Sequence, residues 1–478
     1  MSSDKMEYRS LPHDRKGQIV YVYLLSIVAA LGGLLFGYDT AVISGAIGYL
    51  QTRFDLNNVW MGWAASCALI GCIGGASIAG WMSDRYGRRS VLILSGMLFT
   101  VSAIGSAFPR SLTEFVIARI VGGVGVGIAS MLSPLYIAEV APARLRGRLV
   151  TLNQFTIVFG MLVVYFVNAM VASMGDEAWN IAMGWRWMFG SETLPAILFM
   201  VLLLFVPESP RWLTKQGMPD RAMEILTRVG GAENARASME EIQFAIAHEG
   251  GSIKELLRPG LRMALFIGIG LAVLQQVTGI NVILYYAPEI FKSAGLGSAQ
   301  AINDTVIIGL VNMLFTVVAF LLVDLLGRKI LLLLASFGMG ISLILLGAAF
   351  LVESFGARHL ITINLGLQNI QITFMLFFVL TYVASFAVAM GPVVWVVISE
   401  IFPTRIRGRA MSIATVCLWI SCFAVSQLFP IMLSYLHGMV FFVYAVMCVI
   451  AFLFFAIFVP ETKGKTLEEI EKKWIKMS

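Results

Sequence analysis

Charge is scarce in this chain. Of its 478 residues only 13% are Asp, Glu, Lys or Arg, against about 25% in soluble domains. With 59% hydrophobic residues and a mean hydropathy of +0.85, a water-soluble fold is excluded and a membrane protein with many crossings is expected. Histidine is scarcer still. The four present (His13, His248, His359, His437) fall in tails or loops; no nucleophile–base set emerges, so an enzyme is not expected. The five cysteines (Cys67, Cys72, Cys417, Cys422, Cys448) lie in apolar segments without metal-ligand spacing. They read as small packing residues, with no disulfide, metal or cofactor expected. The net charge of +6 is no nucleic-acid signature, because Lys and Arg sit in short loops between apolar spans. No cleavable signal peptide is visible: the polar residues 1–18 precede an apolar stretch too long for a signal core.

What is abundant is apolar sequence in long runs. Stretches of about 20 residues, enough to span a bilayer, recur twelve times, centred near Ala30, Ile70, Gly96, Val124, Phe159, Phe199, Leu274, Leu314, Gly340, Val379, Leu418 and Val449. An all-α polytopic protein follows. The glycine run Val121-Gly-Gly-Val-Gly-Val-Gly127 suits close helix approach; no strand–turn–helix unit surrounds it, so a dinucleotide loop is rejected. The spans are apolar nearly all round, which excludes mere surface anchoring. Basic clusters at Asp84–Arg89, Arg144–Arg148, Asp324–Lys329 and Arg405–Arg409 follow even-numbered spans. The positive-inside rule then places both termini in the cytoplasm.

The chain divides into a tail (1–18), a six-helix half (19–213), a polar helical linker (214–258), a second half (259–460) and a tail (461–478). The halves repeat. Asp84-x-x-Gly-Arg-Arg matches Asp324-x-x-Gly-Arg-Lys, Glu139-x-x-Pro-x-Arg-x-Arg-Gly-Arg148 matches Glu400-x-x-Pro-x-Arg-x-Arg-Gly-Arg409, and Pro207-Glu-Ser matches Pro460-Glu-Thr. Such duplication places a substrate site near the midplane between the halves. Asp84, Arg88, Glu139, Arg148, Asp324, Arg328, Glu400 and Arg409 form a candidate gate of directional, breakable Arg–carboxylate contacts. Glu139 and Glu400 are each expected to reach arginines of the other half. The alternative is that the cations only set topology.

Ionisable residues inside the spans stand out against this background. Asp39 lies in the apolar run Leu34–Gly45, where an ionised carboxylate costs about 2.5–3.5 kcal/mol at the bilayer centre and marks an ion or substrate path by default. Arg119 in span four is its natural partner, and Glu192 in span six a third group able to tune the pair. The alternative is a permanent Asp39–Arg119 ion pair.

Gly37-Tyr-Asp-Thr40, Asp84-Arg-Tyr-Gly-Arg-Arg89, Arg119-x-x-Gly-Gly, Pro207-Glu-Ser-Pro-Arg-Trp212, Gln275-Gln-x-x-Gly-Ile-Asn281, Gly391-Pro-x-x-Trp395 and Pro460-Glu-Thr-Lys-Gly464 together resemble the sugar porter family of the major facilitator superfamily. Within it the chain looks more like bacterial proton-coupled D-xylose symporters than the facilitative glucose carriers of animals. The resemblance implies a twelve-helix, two-half, alternating-access sugar carrier. Asp39 matches the proton-site aspartate of the symporters, where facilitative carriers have an uncharged residue.

Side-chain amides suit a sugar, because one group offers an acceptor and two donors. Gln275, Gln276 and Asn281 of span seven and Gln154 of span five match sugar-binding positions of the family, as does Trp395, which follows Gly391-Pro392. Gln275 and Gln276 diverge on a regular helix, but Gly279 permits a local break. Phe36 and Trp419 are aromatic wall candidates, and Tyr285 and Asn312 enter by the same match. Interhelical hydrogen bonding, about 0.6 kcal/mol per contact, is the alternative for any single amide. Two positions depart from the symporters: Met161 and Leu418 stand where those have glutamines. The expected substrate is one monosaccharide, D-xylose or a related pentose or hexose such as D-glucose, with the two apolar residues making a hexose a contender against xylose. The expectation is a monomeric symporter of the bacterial inner membrane, in the lipid bilayer, with the proton as coupling ion and no nucleic-acid partner. The alternatives are a uniporter and a non-transporting sensor, for which the tail Glu461–Ser478 is short.

Overall fold

The computed structural model describes residues 13–247, 256, 261–293, 295–354, 360–364, 369–402 and 406–463. The first half holds α1 (His13–Phe54), α2 (Asn58–Tyr86), α3 (Arg88–Ala107), α4 (Leu112–Val140) and α5 (Ala143–Ala172). Its sixth crossing is segmented: α6 (Glu177–Trp179), a π-turn at Asn180–Gly184, α7 (Trp185–Gly190) and α8 (Thr193–Leu203). Three shorter helices follow, α9 (Pro210–Lys215), α10 (Pro219–Gly230) and α11 (Ala232–Ala247), with a small apolar core of their own around Leu213, Leu226 and Met239. The second half holds α12 (Leu261–Val277), α13 (Ile280–Ser293), α14 (Ser298–Leu326), α15 (Arg328–Ser354), α16 (Phe374–Ser385), a π-turn at Phe386–Met390, α17 (Pro392–Ile401), α18 (Arg407–Leu436) and α19 (Val440–Phe458).

Long apolar runs make these helices, and specific residues stop them. Asn57 caps α2 by accepting from the Val59 and Trp60 N–H groups at 3.1 and 3.0 Å, satisfying donors that the first turn leaves orphaned. The apolar segment Arg407–Phe458 runs for 52 residues; as one rod it would measure about 78 Å, far beyond the ~30 Å hydrocarbon layer. His437, at φ 49°, turns the chain so that α18 and α19 cross separately. Twelve crossings result. One element outside the helical expectation joins α15 to α16: strands β1 (Leu360–Asn364) and β2 (Asn369–Thr373) pair antiparallel, Thr362 opposite Gln371. Their alternation of isoleucine with polar residues is a period-two signal that a search for 20-residue spans passes over.

Within the first half, α1 packs on α5, and α4 on both α2 and α3. The glycine run of α4 makes this possible. A Cβ at Gly123 would strike the Ala68 carbonyl of α2, and one at Gly122 would intrude on Ser102 of α3 while just touching the Asp39 carboxylate. The halves meet along three seams, α2 with α18, α5 with α14 and α1 with α13. The specific contacts across them lie toward the side opposite the basic loops. Gln427 of α18 accepts from Ser66 at 2.9 Å and donates to the Val59 carbonyl at 3.0 Å. Tyr165 of α5 donates to the Leu284 carbonyl at 3.0 Å. Lys292 of α13, held by Glu289 at 2.8 Å, sits 5.6 Å from the Tyr49 ring centre on α1.

Candidate functional site

The buried ionisable residues gather at one place. Asp39 and Glu192 are fully buried and Arg119 is 1% exposed. The Arg119 guanidinium donates to the Asp39 carboxylate and, at 2.9 Å, to the Asp39 main-chain carbonyl, and it lies over the Phe189 ring at 5.3 Å. Glu192 sits where the sixth crossing breaks between α7 and α8 and faces both Asp39 and Arg119. Asp39 Oδ2 and both Glu192 oxygens have no hydrogen-bond partner among the described residues. Beside them the Tyr38 and Ser191 hydroxyls bond at 2.7 Å, tying α1 to the same break. Sequence reading missed this hydroxyl pair, although its members adjoin Asp39 and Glu192 in the chain.

One turn before Asp39 on α1, Phe36 crosses the seam to meet the Trp419 ring of α18 at 5.5 Å. Here the amides assemble. The seventh crossing breaks at Thr278–Gly279, with Gly279 at φ +96°, a conformation that favours glycine. The break resolves the conflict between adjacent glutamines. Gln275 donates to the Met390 and Gly391 carbonyls at 2.6 and 3.3 Å, while Gln276 turns toward Asn281, accepting from it at 2.5 Å. Gln276 also donates to Gln275 Oε1 at 3.3 Å. Asn281 further donates to the Cys422 sulfur at 3.0 Å, so Cys422 is more than the packing residue its sequence context suggests. Tyr285, Met161, Leu418 and Asn312 are buried nearby, and Asn312 directs its amide at the Met161 sulfur at 4.0 Å. Gln154 and Trp395 are half-buried; their side chains make no hydrogen bond among the described residues.

The loop motifs build two matching networks. Arg88 grips Glu139 with two bonds of 2.9 and 3.1 Å and reaches Asp84 at 3.1 Å. Glu208 accepts the Arg88, Arg89 and Ser209 main-chain N–H groups at 2.8–3.2 Å. In the second half Arg328 reaches Glu400 at 3.2 Å, and Glu461 accepts from the Arg328, Lys329 and Lys463 N–H groups at 2.9–3.1 Å. These pairs of Glu139 and Glu400 lie inside their own halves rather than across them, because α3 delivers Arg88 to α4 and α15 delivers Arg328 to α17. Arg148 and Arg409 are exposed, and neither joins an ion pair among the described residues. Asp324 ends near the close of α14, its side chain outside those described.

The two glutamates behind the loops titrate in opposite directions. Burial pushes Glu208 above the ordinary range, outweighing its three main-chain donors. Burial acts on Glu461 too, but the Lys463, Arg328, Lys329 and Thr462 N–H groups together hold it below. A raised acid contributes stability that is present at low pH and lost on raising it; a lowered one does the reverse. Between about pH 7 and pH 4, the destabilisation by Glu461→Gln is therefore expected to shrink as pH falls, and that by Glu208→Gln to grow. Thermal unfolding midpoints of the two variants across that range check the signs; parallel slopes would refute them.

Comparison with known proteins places this geometry. The profile of the family described as "Sugar (and other) transporter" matches residues 25–474. The "D-xylose-proton symporter" of Escherichia coli (strain K12) is 44% identical, the alignment covering 95% of this chain and 96% of that protein. The "Arabinose-proton symporter" of Bacillus subtilis (strain 168) is 43% identical, with 98% of each chain covered. Among solved structures, the xylose transporter from E. coli in a partially occluded inward open conformation superposes with a TM-score of 0.82 at 42% identity, covering 94% of this chain and all of that one. With the fold of the major facilitator superfamily and a family match over nearly its whole length, the chain belongs to the sugar (and other) transporter family.

Proposed function

We propose that this protein is a proton-coupled symporter that imports a monosaccharide, a pentose such as D-xylose or a related hexose, by alternating access. It acts as a monomer in the bacterial inner membrane, with both termini and the basic loops in the cytoplasm. The carrying observation is that α1 holds Asp39 of the buried acid–arginine set and, one turn away, Phe36 of the seam between halves. Two carboxyl groups stand against one guanidinium, so one proton neutralises the set. A proton entering or leaving shifts how tightly Arg119 holds α1, and α1 carries that change to the sugar-facing seam. Met161 and Leu418 leave one wall apolar, which fits the less polar edge of a pentose or hexose ring. The opposite side is joined across the halves by Gln427, Tyr165 and Lys292, which supports an inward-facing state.

Facilitative uniport is the second reading, favoured by the double hold of Arg119 on Asp39, which suits a permanent pair. Uptake of labelled sugar into energised membrane vesicles separates the two. Accumulation above the outside concentration, collapsing to equality when a protonophore is added, is expected; downhill entry alone, indifferent to the proton gradient, would select the uniporter.

A further inference from the structure

The amides of the seventh crossing are wired in one direction. The Met390 and Gly391 carbonyls take the Gln275 N–H groups, which leaves Gln275 Oε1 to accept from Gln276 and Gln276 Oε1 to accept from Asn281. Each amide has one oxygen and one NH2 group, so acceptors fixed at one end set the direction of every member that follows. Main-chain carbonyls fix one end. The other end meets Cys422, fully buried on α18, whose sulfur accepts from Asn281 at 3.0 Å. With its NH2 group spent on Gln276 and Cys422, Asn281 presents an oxygen that receives no donor among the described residues.

A second observation points to what that oxygen awaits. One turn earlier on α18, the Trp419 indole is 3% exposed and its N–H has no acceptor among the described residues. A buried donor on α18 and a free acceptor on α13, the two helices joined by the Asn281–Cys422 contact, match two hydroxyls, one accepting and one donating. We propose that Cys422 is a specificity-determining positioning residue: by taking the second N–H of Asn281, whose first is held by Gln276, it leaves the amide oxygen as the group offered to the sugar, so the site demands a hydroxyl that donates there. This rests on the reading of the seam as a sugar site.

Replacing one sugar hydroxyl by fluorine keeps its approximate size and removes the donor, and a site built to pair a hydroxyl discriminates strongly against an analogue lacking it. Binding of D-xylose, D-glucose and the monodeoxyfluoro series of the sugar that binds, followed by tryptophan fluorescence on the purified protein, tests the proposal. The native protein is expected to reject one fluoro isomer at least tenfold. Cys422→Ala, and Cys422→Val, which keeps the volume without the acceptor, should reduce that ratio below threefold, because the N–H that Cys422 releases can turn to fluorine while Gln276 keeps the other. Cys422→Ser, which restores an acceptor, should keep it. No sugar binding by the native protein would sink the reading of the site itself. Sugar binding with no fluoro discrimination, discrimination kept by either apolar variant, or loss in the serine variant along with them would overturn the role of Cys422 alone.

Discussion

Asp39→Asn is expected to abolish uphill sugar uptake while exchange of sugar across the membrane continues. One proton moving down 100 mV yields about 2.3 kcal/mol, enough to hold about a fifty-fold sugar gradient at roughly 1.4 kcal/mol per tenfold; in the variant that ratio should fall to about one. Asparagine keeps the shape and cannot carry the charge. The fold should survive for two reasons visible in the structure. The Arg119 bond to the Asp39 main-chain carbonyl does not depend on the side chain, and Glu192, fully buried and facing Arg119, remains as counter-ion. The double variant Asp39→Asn/Glu192→Gln removes that support and leaves a buried guanidinium without an acid. Breaking a buried pair this way costs about 3–5 kcal/mol, so the double variant should fail to accumulate in membranes where the single one does. Counterflow and protonophore-sensitive accumulation, measured side by side in vesicles, provide the check. Continued concentration of sugar by Asp39→Asn would refute the proton assignment.

Gln276→Leu is expected to weaken sugar binding about 100-fold without changing the number of protons per sugar. Leucine fills the volume, yet Gln275 Oε1 loses its donor and the Asn281 amide one acceptor. Buried polar groups left this way cost about 1–3 kcal/mol each, and the disturbance lies at the middle of the chain that orients the others. Asp39 and Arg119 sit on α1 and α4, outside that chain, so coupling should persist. The KM for uptake should rise while the accumulation ratio at saturating sugar stays near the native value. A KM within threefold of native would show that the amides serve helix packing instead.

Much of this architecture was legible because lipid imposes strict rules. Twelve apolar runs of spanning length and a buried acid needing a partner leave few alternatives, so the twelve spanning segments and the Asp39–Arg119 contact follow closely from composition. The repeated Asp-x-x-Gly-Arg motif announced two equivalent loops, but not which arginine each glutamate would choose. That choice depends on neighbouring helices ending at the same height, as α3 and α4 do for Arg88 and Glu139, and helix register in space is not written in one sequence. Cys422 was missed for a related reason. A cysteine among apolar residues looks like filler until α18 is rotated to bring it against Asn281. The β1–β2 hairpin escaped because its ten residues are too short and too polar to register as a span.

The break at Gly279 makes α13 a lever. Its fourteen residues form an arm about 20 Å long, pinned near Asn281 and carrying Lys292 at the far tip, over Tyr49 of the opposite half. A swing of about 20° around the pin would carry the tip about 7 Å on an arm of that length, enough to part Lys292 from Tyr49, while Asn281, two residues from the pivot, would shift by about 1 Å. The contact between halves at Lys292 and Tyr49 can thus part while Asn281 keeps its aim, because pivot and amide share one end of the same rod.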